Sequence, residues 1–256
     1  MDLEKIPRFP ISIEGYTFHV GTANELSAAL DVLQGQHDRI VLEQLGPHLA
    51  DIIGDSAGLM ATLRSLSQPD QLYLVKTIGG RLAGIVQTAR RMSNIFAMLS
   101  SAEVENQFLA TLGHDGLHYL VKNAQDLSDT LEWLYGKSDT KVLKLFGSDR
   151  LKQIIRSGAD LSLVLNMLDA ASGQRVLMDL LGWDHVVELI RNGNELAQTL
   201  RATPSQIGTH LIATMSQEQL IHIIGNEQDW AYLWERLEPA EARAIAKKLN
   251  IKDYAA

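Results

Sequence analysis

Residues 141–165 read KVLKLFGSDRLKQIIRSGADLSLVL, and three short apolar stripes lie in them end to end. Val142, Leu143 and Phe146 form the first, Leu151 with Ile154 and Ile155 the second, and Leu161 with Leu165 the third. Each stripe has helical spacing, so each predicts one face of a helix of roughly two turns. Between the second and third stands Ser157-Gly158-Ala159-Asp160, a glycine to stop one helix and polar side chains to cap the next.

Outward from this stretch the first stripe returns about every 34 residues: Val41-Leu42-Leu45, Leu74-Val75-Ile78, Phe108-Leu109-Leu112, Val176-Leu177-Leu180, Leu211-Ile212-Met215 and Ile245-Ala246-Leu249. The second returns at Leu49, Leu82, Leu117, Val186 and Leu220. The third returns at Leu26, Leu59, Met92, Leu127, Leu196 and Trp230, each with an apolar partner four residues on. The second, third and first stripes are named helices A, B and C of a repeat. A two-turn helix does not stand alone in water, so such units must bury one another. The expected fold is all-α: a right-handed α-solenoid of about seven repeats. Residues 9–20, FPISIEGYTFHV, alternate around Glu14-Gly15 and predict a β-hairpin that caps the first repeat. The expected organisation is a hairpin cap over 1–21, a repeat solenoid over 22–249 and a polar tail over 250–256.

Composition bounds the function. The chain has 256 residues, 46% hydrophobic and 21% charged, with no cysteine, which excludes a disulfide framework and a thiolate metal site and fits a reducing compartment. A net charge of −8 opposes broad binding to a phosphate backbone. Lys141, Lys144, Arg150, Lys152 and Arg156 still make a basic stretch mid-chain. No apolar run approaches the ~18 residues of a membrane span, and Met1–Pro10 lacks the apolar core of a signal peptide.

With the core stripes assigned, the outward positions of helix A remain. Lys122, Arg156 and Arg191 stand five residues after its first apolar residue in three successive units. Tyr119, Gln153, Glu188 and His222 stand two residues after it. Repeat arrays bind partners along such ladders, although basic residues in a last helical turn also complement the helix dipole. Trp133 and Trp183 fall in variable columns and suit interface anchors or inter-layer packing. Trp230 and Trp234 fall in leucine columns and read as core. His114 and His118, four apart, share a helix face but lack a third ligand at diagnostic spacing, so they read as a solvated pair. No phosphate loop, nucleophile elbow or dinucleotide fingerprint is present. No catalytic, cofactor or metal residue is therefore assigned.

Three resemblances bear on function. The period is similar to that of tetratricopeptide repeats, while the count of three helices is armadillo-like. His185-Val-Val-Glu-Leu-Ile-Arg-Asn192-Gly193-Asn-Glu-Leu196 resembles the repeats of transcription activator-like effectors, with Asn192-Gly193 at the base-reading pair. Where that family faces phosphate with basic or amide residues, this chain has Asn194-Glu195, Ala159-Asp160 and Gln125-Asp126. The Leu-Gly-x-Asp-x-Val/Leu-x-x-Leu/Ile-Ile-Arg manner resembles helical-repeat effectors, and effector regulators, of intracellular bacteria. That resemblance implies a protein-binding role in the cytosol of the bacterium or of its host. The expected activity is thus a non-enzymatic scaffold whose helix A ladder meets an acidic patch or helix of another protein. Nucleic-acid binding through the A–B loops, and an enzyme with its site in a superhelical groove, are the alternatives.

Overall fold

The computed structural model describes residues 7–33, 35–134, 138–168, 170–225 and 227–251, with the side chains of 227–229 aside. The expected break at Gly136-Lys137 and the tail beyond Ile251 lie outside the described residues. The chain is mostly helical, with one antiparallel hairpin at its start. It falls into two compact units, Met1–Val121 with Glu132–Ser138, and Lys122–Leu131 with Asp139–Ala256.

The first unit begins with β1 (Phe9–Ile13) and β2 (Tyr16–Val20), in register from Phe9↔Val20 to Ile13↔Tyr16. Glu14 and Gly15 turn the chain with φ of 50° and 86°, the left-handed geometry a two-residue hairpin loop requires. Ile11, Ile13 and Val20 are buried, as alternation predicts. There follow α1 (Ala23–Leu33), α2 (Asp38–Leu45), α3 (Leu49–Ile53), α4 (Ser56–Arg64), α5 (Gln68–Ile78), α6 (Leu82–Val86), α7 (Ala89–Phe96) and α8 (Ala102–Leu120). Helices with the same place in the expected repeat lie on one another: α1 on α4 and α4 on α7, α2 on α5 and α5 on α8.

The second unit holds α9 (Ala124–Leu131), α10 (Ser138–Ile154), α11 (Gly158–Leu165), α12 (Ala171–Leu181), α13 (Trp183–Leu189), α14 (Gly193–Arg201), α15 (Ser205–Thr214), α16 (Gln217–Ile223), α17 (Glu227–Trp234) and α18 (Pro239–Leu249). The same rule holds within it: α9 lies on α11, α11 on α14, α14 on α17, and α15 on α18.

A recurring glycine joins helix C to helix A. Gly46, Gly79, Gly113, Gly147 and Gly182 follow the last apolar residue of the C stripe and all have positive φ, from 42° to 80°. Only glycine takes this conformation without a Cβ penalty, and it reverses the chain within one residue. Gly113 and Gly147 accordingly lie as single non-helical residues inside α8 and α10, dividing each into a C and an A helix.

The apolar stripes form the core, with two corrections. In α12 the buried residues are Leu177, Met178 and Leu181, one position later than the expected Val176-Leu177-Leu180. The repeat preceding it is one residue longer, so a fixed period misplaces the stripe. Among the described side chains of α17 Leu233 is fully buried, while Trp230 and Trp234 are half-buried and stacked with centroids 4.8 Å apart.

A polar column runs under the apolar one, three residues before each buried pair. Asp38, Gln71, Glu105, Asp139 and Gln174 are all buried. Gln71 Nε2 donates to the carbonyls of Leu63 and Leu66 at 2.8 and 3.5 Å, while its Oε1 accepts from the N–H and hydroxyl of Ser100 at 3.0 and 2.8 Å. Gln174 Nε2 likewise donates to the carbonyls of Leu165, Leu168 and Ala202. These amides satisfy carbonyls at and beyond the ends of B helices, which have no partner within their own helix, and tie one repeat to the next. The column stops at Gly208, and Glu241 of α18 fills the space: a Cβ on Gly208 would lie 2.1 Å from Glu241 Oε1.

Glu241 Oε2 accepts from the Glu238 N–H at 3.1 Å, but Oε1 has no partner. Burial pushes this carboxyl up from 4.5 to about 7. Burial, with Asp70 nearby, also raises Asp38. Between pH 4.5 and 7 the folded chain keeps a proton on Glu241 that the unfolded chain has lost, so stability falls as pH rises through that window. The loss amounts to roughly 3 kcal/mol at about 1.4 kcal/mol per pH unit. Urea unfolding across this range checks it: the midpoint should drop as pH rises, and Glu241→Gln should flatten most of the drop, leaving the smaller slope from Asp38.

Candidate partner-binding surface

The ladder is built at the junction of helices A and B. Lys122, Arg156 and Arg191 are exposed residues that each stand two before a B helix, α9, α11 or α14, and these helices pack in succession within the second unit. The next residue caps the helix: Asn123 Oδ1, Ser157 Oγ and Asn192 Oδ1 accept the N–H of Asp126, Asp160 and Glu195 at 2.9, 3.1 and 2.9 Å. Those carboxylates reach back to the backbone N–H of Lys122, Arg156 and Arg191 at 2.9, 2.9 and 2.8 Å. Each acid thus fixes the backbone of the cation, a variant of the capping box in which the acceptor reaches one residue further.

The same device stands at the start of α1, where Glu25 accepts from the Gly21 N–H at 2.8 Å. That bond holds the Glu25 carboxyl below its ordinary value, burial opposing it and Arg8 assisting. Neighbouring junctions touch in the second unit, for a Cβ on Gly158 would lie 2.8 Å from Glu195 Cβ. The acids were legible in the sequence as Asn123-x-x-Asp126, Ser157-x-x-Asp160 and Asn192-x-x-Glu195. They stand in the stretches that the sequence marks as helix caps, and the structure gives the acid of each a bond to the backbone of the cation ahead of it.

The remaining ladder residues have local partners. Arg156 Nε donates to the Gln153 carbonyl at 2.6 Å, so this arginine also serves the C-terminal end of its A helix. Gln153 Oε1 accepts from Arg150 at 3.1 Å, and Glu188 pairs with His185 at 3.4 Å. His222 lies in the last turn of α16, where Gly225 occupies the cation position and the basic series ends. Tyr119 and Trp133, 58% and 52% exposed, belong to the first unit.

Trp183 opens α13, whose other end leads to Arg191. Its Nε1 donates to Asp179 at 3.1 Å and its ring meets His210 edge-on at 4.3 Å. With Arg175 and Gln206 these rings line a recess of about 180 Å³. His114 and His118 lie with ring centroids 3.7 Å apart, and no group of three potential metal ligands occurs among the described residues. No described helix is long and apolar enough to cross a membrane.

Neither a family model, nor a curated protein, nor a solved structure matches this chain.

The capping geometry generates a measurable expectation. Asp160→Ala should cost about 1 kcal/mol, the usual worth of a helix cap. It should also speed hydrogen exchange at the Arg156 amide selectively, whereas Asp129→Ala, one turn into α9, should leave that amide unchanged.

Proposed function

We propose that this chain is a protein-binding scaffold of stacked helical repeats, and that its A–B junctions receive an acidic segment of another protein. One observation carries the reading. In a chain of net charge −8, Lys122, Arg156 and Arg191 recur at one structural position ahead of three successively packed helices. Each is exposed, and each has its backbone fixed by a capping carboxylate. Cations held at repeating intervals suit an extended or helical partner that presents carboxylates at matching intervals. The manner of the repeats extends the proposal to an effector, or a regulator of effectors, of an intracellular bacterium. The full solenoid stacking of the repeats belongs to the same proposal.

The test is affinity capture from the native cell and from a host lysate. Wild type is compared with Lys122→Glu/Arg156→Glu/Arg191→Glu, whose fold is verified by circular dichroism. The expected result is one stoichiometric protein held by the wild type and lost from the triple variant. Once that protein is purified, its affinity should fall about tenfold or more in the variant, and steeply with salt in the wild type. Each exposed ion pair is worth about 0.2–1 kcal/mol, and reversal turns three attractions into repulsions. Equal capture by both would remove the ladder from the reading.

A further inference from the structure

The hairpin has two edges, and they are not alike. On β1 the outward-facing backbone belongs to Pro10 and Ser12. Pro10 has no N–H, and the Gln44 side chain closes Ser12, accepting from its N–H at 2.9 Å and donating to its carbonyl at 2.9 Å. Ser12 pairs with Thr17 and Pro10 with His19. In an antiparallel ladder, opposed residues that point their backbone groups away from each other alternate with those that bond. Thr17 and His19 therefore turn their N–H and C=O groups to the far side of β2, where both residues are exposed and no described residue bonds those groups.

Beside that open edge lies a groove of about 380 Å³ between the inner face of β2 and α1. Its walls are Phe18 and Tyr16 on the strand, and Ala29, Val32 and Leu33 on the helix. Tyr16 is 79% exposed and Val32 81%, so the apolar inner face of the hairpin continues past its own last strand. A strand laid ~4.8 Å beyond β2 would place alternate side chains over this groove. At the turn end the rim carries Glu14, paired with His37 at 3.3 Å, and acidic residues outnumber basic ones over the first 60 positions.

We propose that β2 is a docking edge for an extended segment of a partner protein that carries apolar residues at every second position and a Lys or Arg at the end that meets the turn. The segment adds as a third strand through Thr17 and His19, drops its apolar side chains into the groove, and sets a basic residue at its turn end against Glu14 on the groove's rim. Strand addition with pockets for alternate side chains is a general mode of peptide recognition. A second copy of this chain fits less well, since it would bring together two chains of net charge −8. The site lies in the first unit and is independent of the A–B junctions.

The experiment pans a phage-displayed random heptapeptide library on the full-length protein, then measures the top enriched peptide by fluorescence anisotropy. The expected peptide carries Val, Ile or an aromatic residue at every second position and Lys or Arg at one end. Thr17→Pro and His19→Pro each remove one outward N–H while keeping the strand bonds to β1, a placement edge strands tolerate. Each should weaken binding about tenfold, with helical circular dichroism and melting temperature unchanged. Val32→Glu, a surface change, should abolish binding. No enrichment over an unrelated protein, or binding indifferent to both proline variants, would overturn the proposal. So would a wild-type dimer in light scattering that the proline variants dissociate, which would assign the edge to a second copy.

Discussion

An α-helix leaves its first four N–H and its last four C=O groups without partners in the helix itself. In α3, five residues long, or α13, seven, hardly any backbone group lies between the two ends. The architecture depends on meeting that demand many times over in a small volume. At the start of B helices the capping residue takes an N–H of the first turn, as Asn192 does from Glu195, and the same acid holds the backbone just ahead of the cap. Near the end of B helices the amides of Gln71 and Gln174 do it from inside the core. Between C and A, a positive-φ glycine reverses the chain without an intervening loop. Each device recurs near the repeat interval because each short helix poses the same problem.

The apolar stripes were legible because burial leaves a period, and the hairpin because alternation around Glu14-Gly15 leaves another. What escaped has physical reasons. A pattern reading sends polar residues to the surface, so a buried column of Asp38, Gln71, Glu105, Asp139 and Gln174 is invisible to it, although its spacing is as regular as that of the leucines. A rigid period fails wherever a unit lengthens by one residue, and so the α12 stripe slips from Val176 to Leu177. Trp230 and Trp234 sit at leucine positions, yet they stack half-buried on each other while Leu233 takes the interior. Of the surface positions, the Lys122, Arg156 and Arg191 series follows from the repeat. The open edge of β2 does not, because it depends on which strand Gln44 closes.

The capping acids also bear on which partner the A–B junctions can hold. Asp126, Asp160 and Glu195 each hold the backbone of the adjoining cation, so every cation of the series comes with a carboxylate four residues away. The surface therefore repeats a plus–minus pair and is not a uniformly positive strip. A phosphate backbone offers one charge sign at short, even intervals and would meet the acids as often as the bases. A protein partner can place its carboxylates against the bases and leave neutral or basic residues against the acids. Opposite charges at each junction partly cancel at distances beyond their own separation, so in the proposed complex selectivity would rest on spacing at contact. Spacing is what packed repeats hold fixed, and so the constraint that caps the helices also sets the intervals at which a partner would be read.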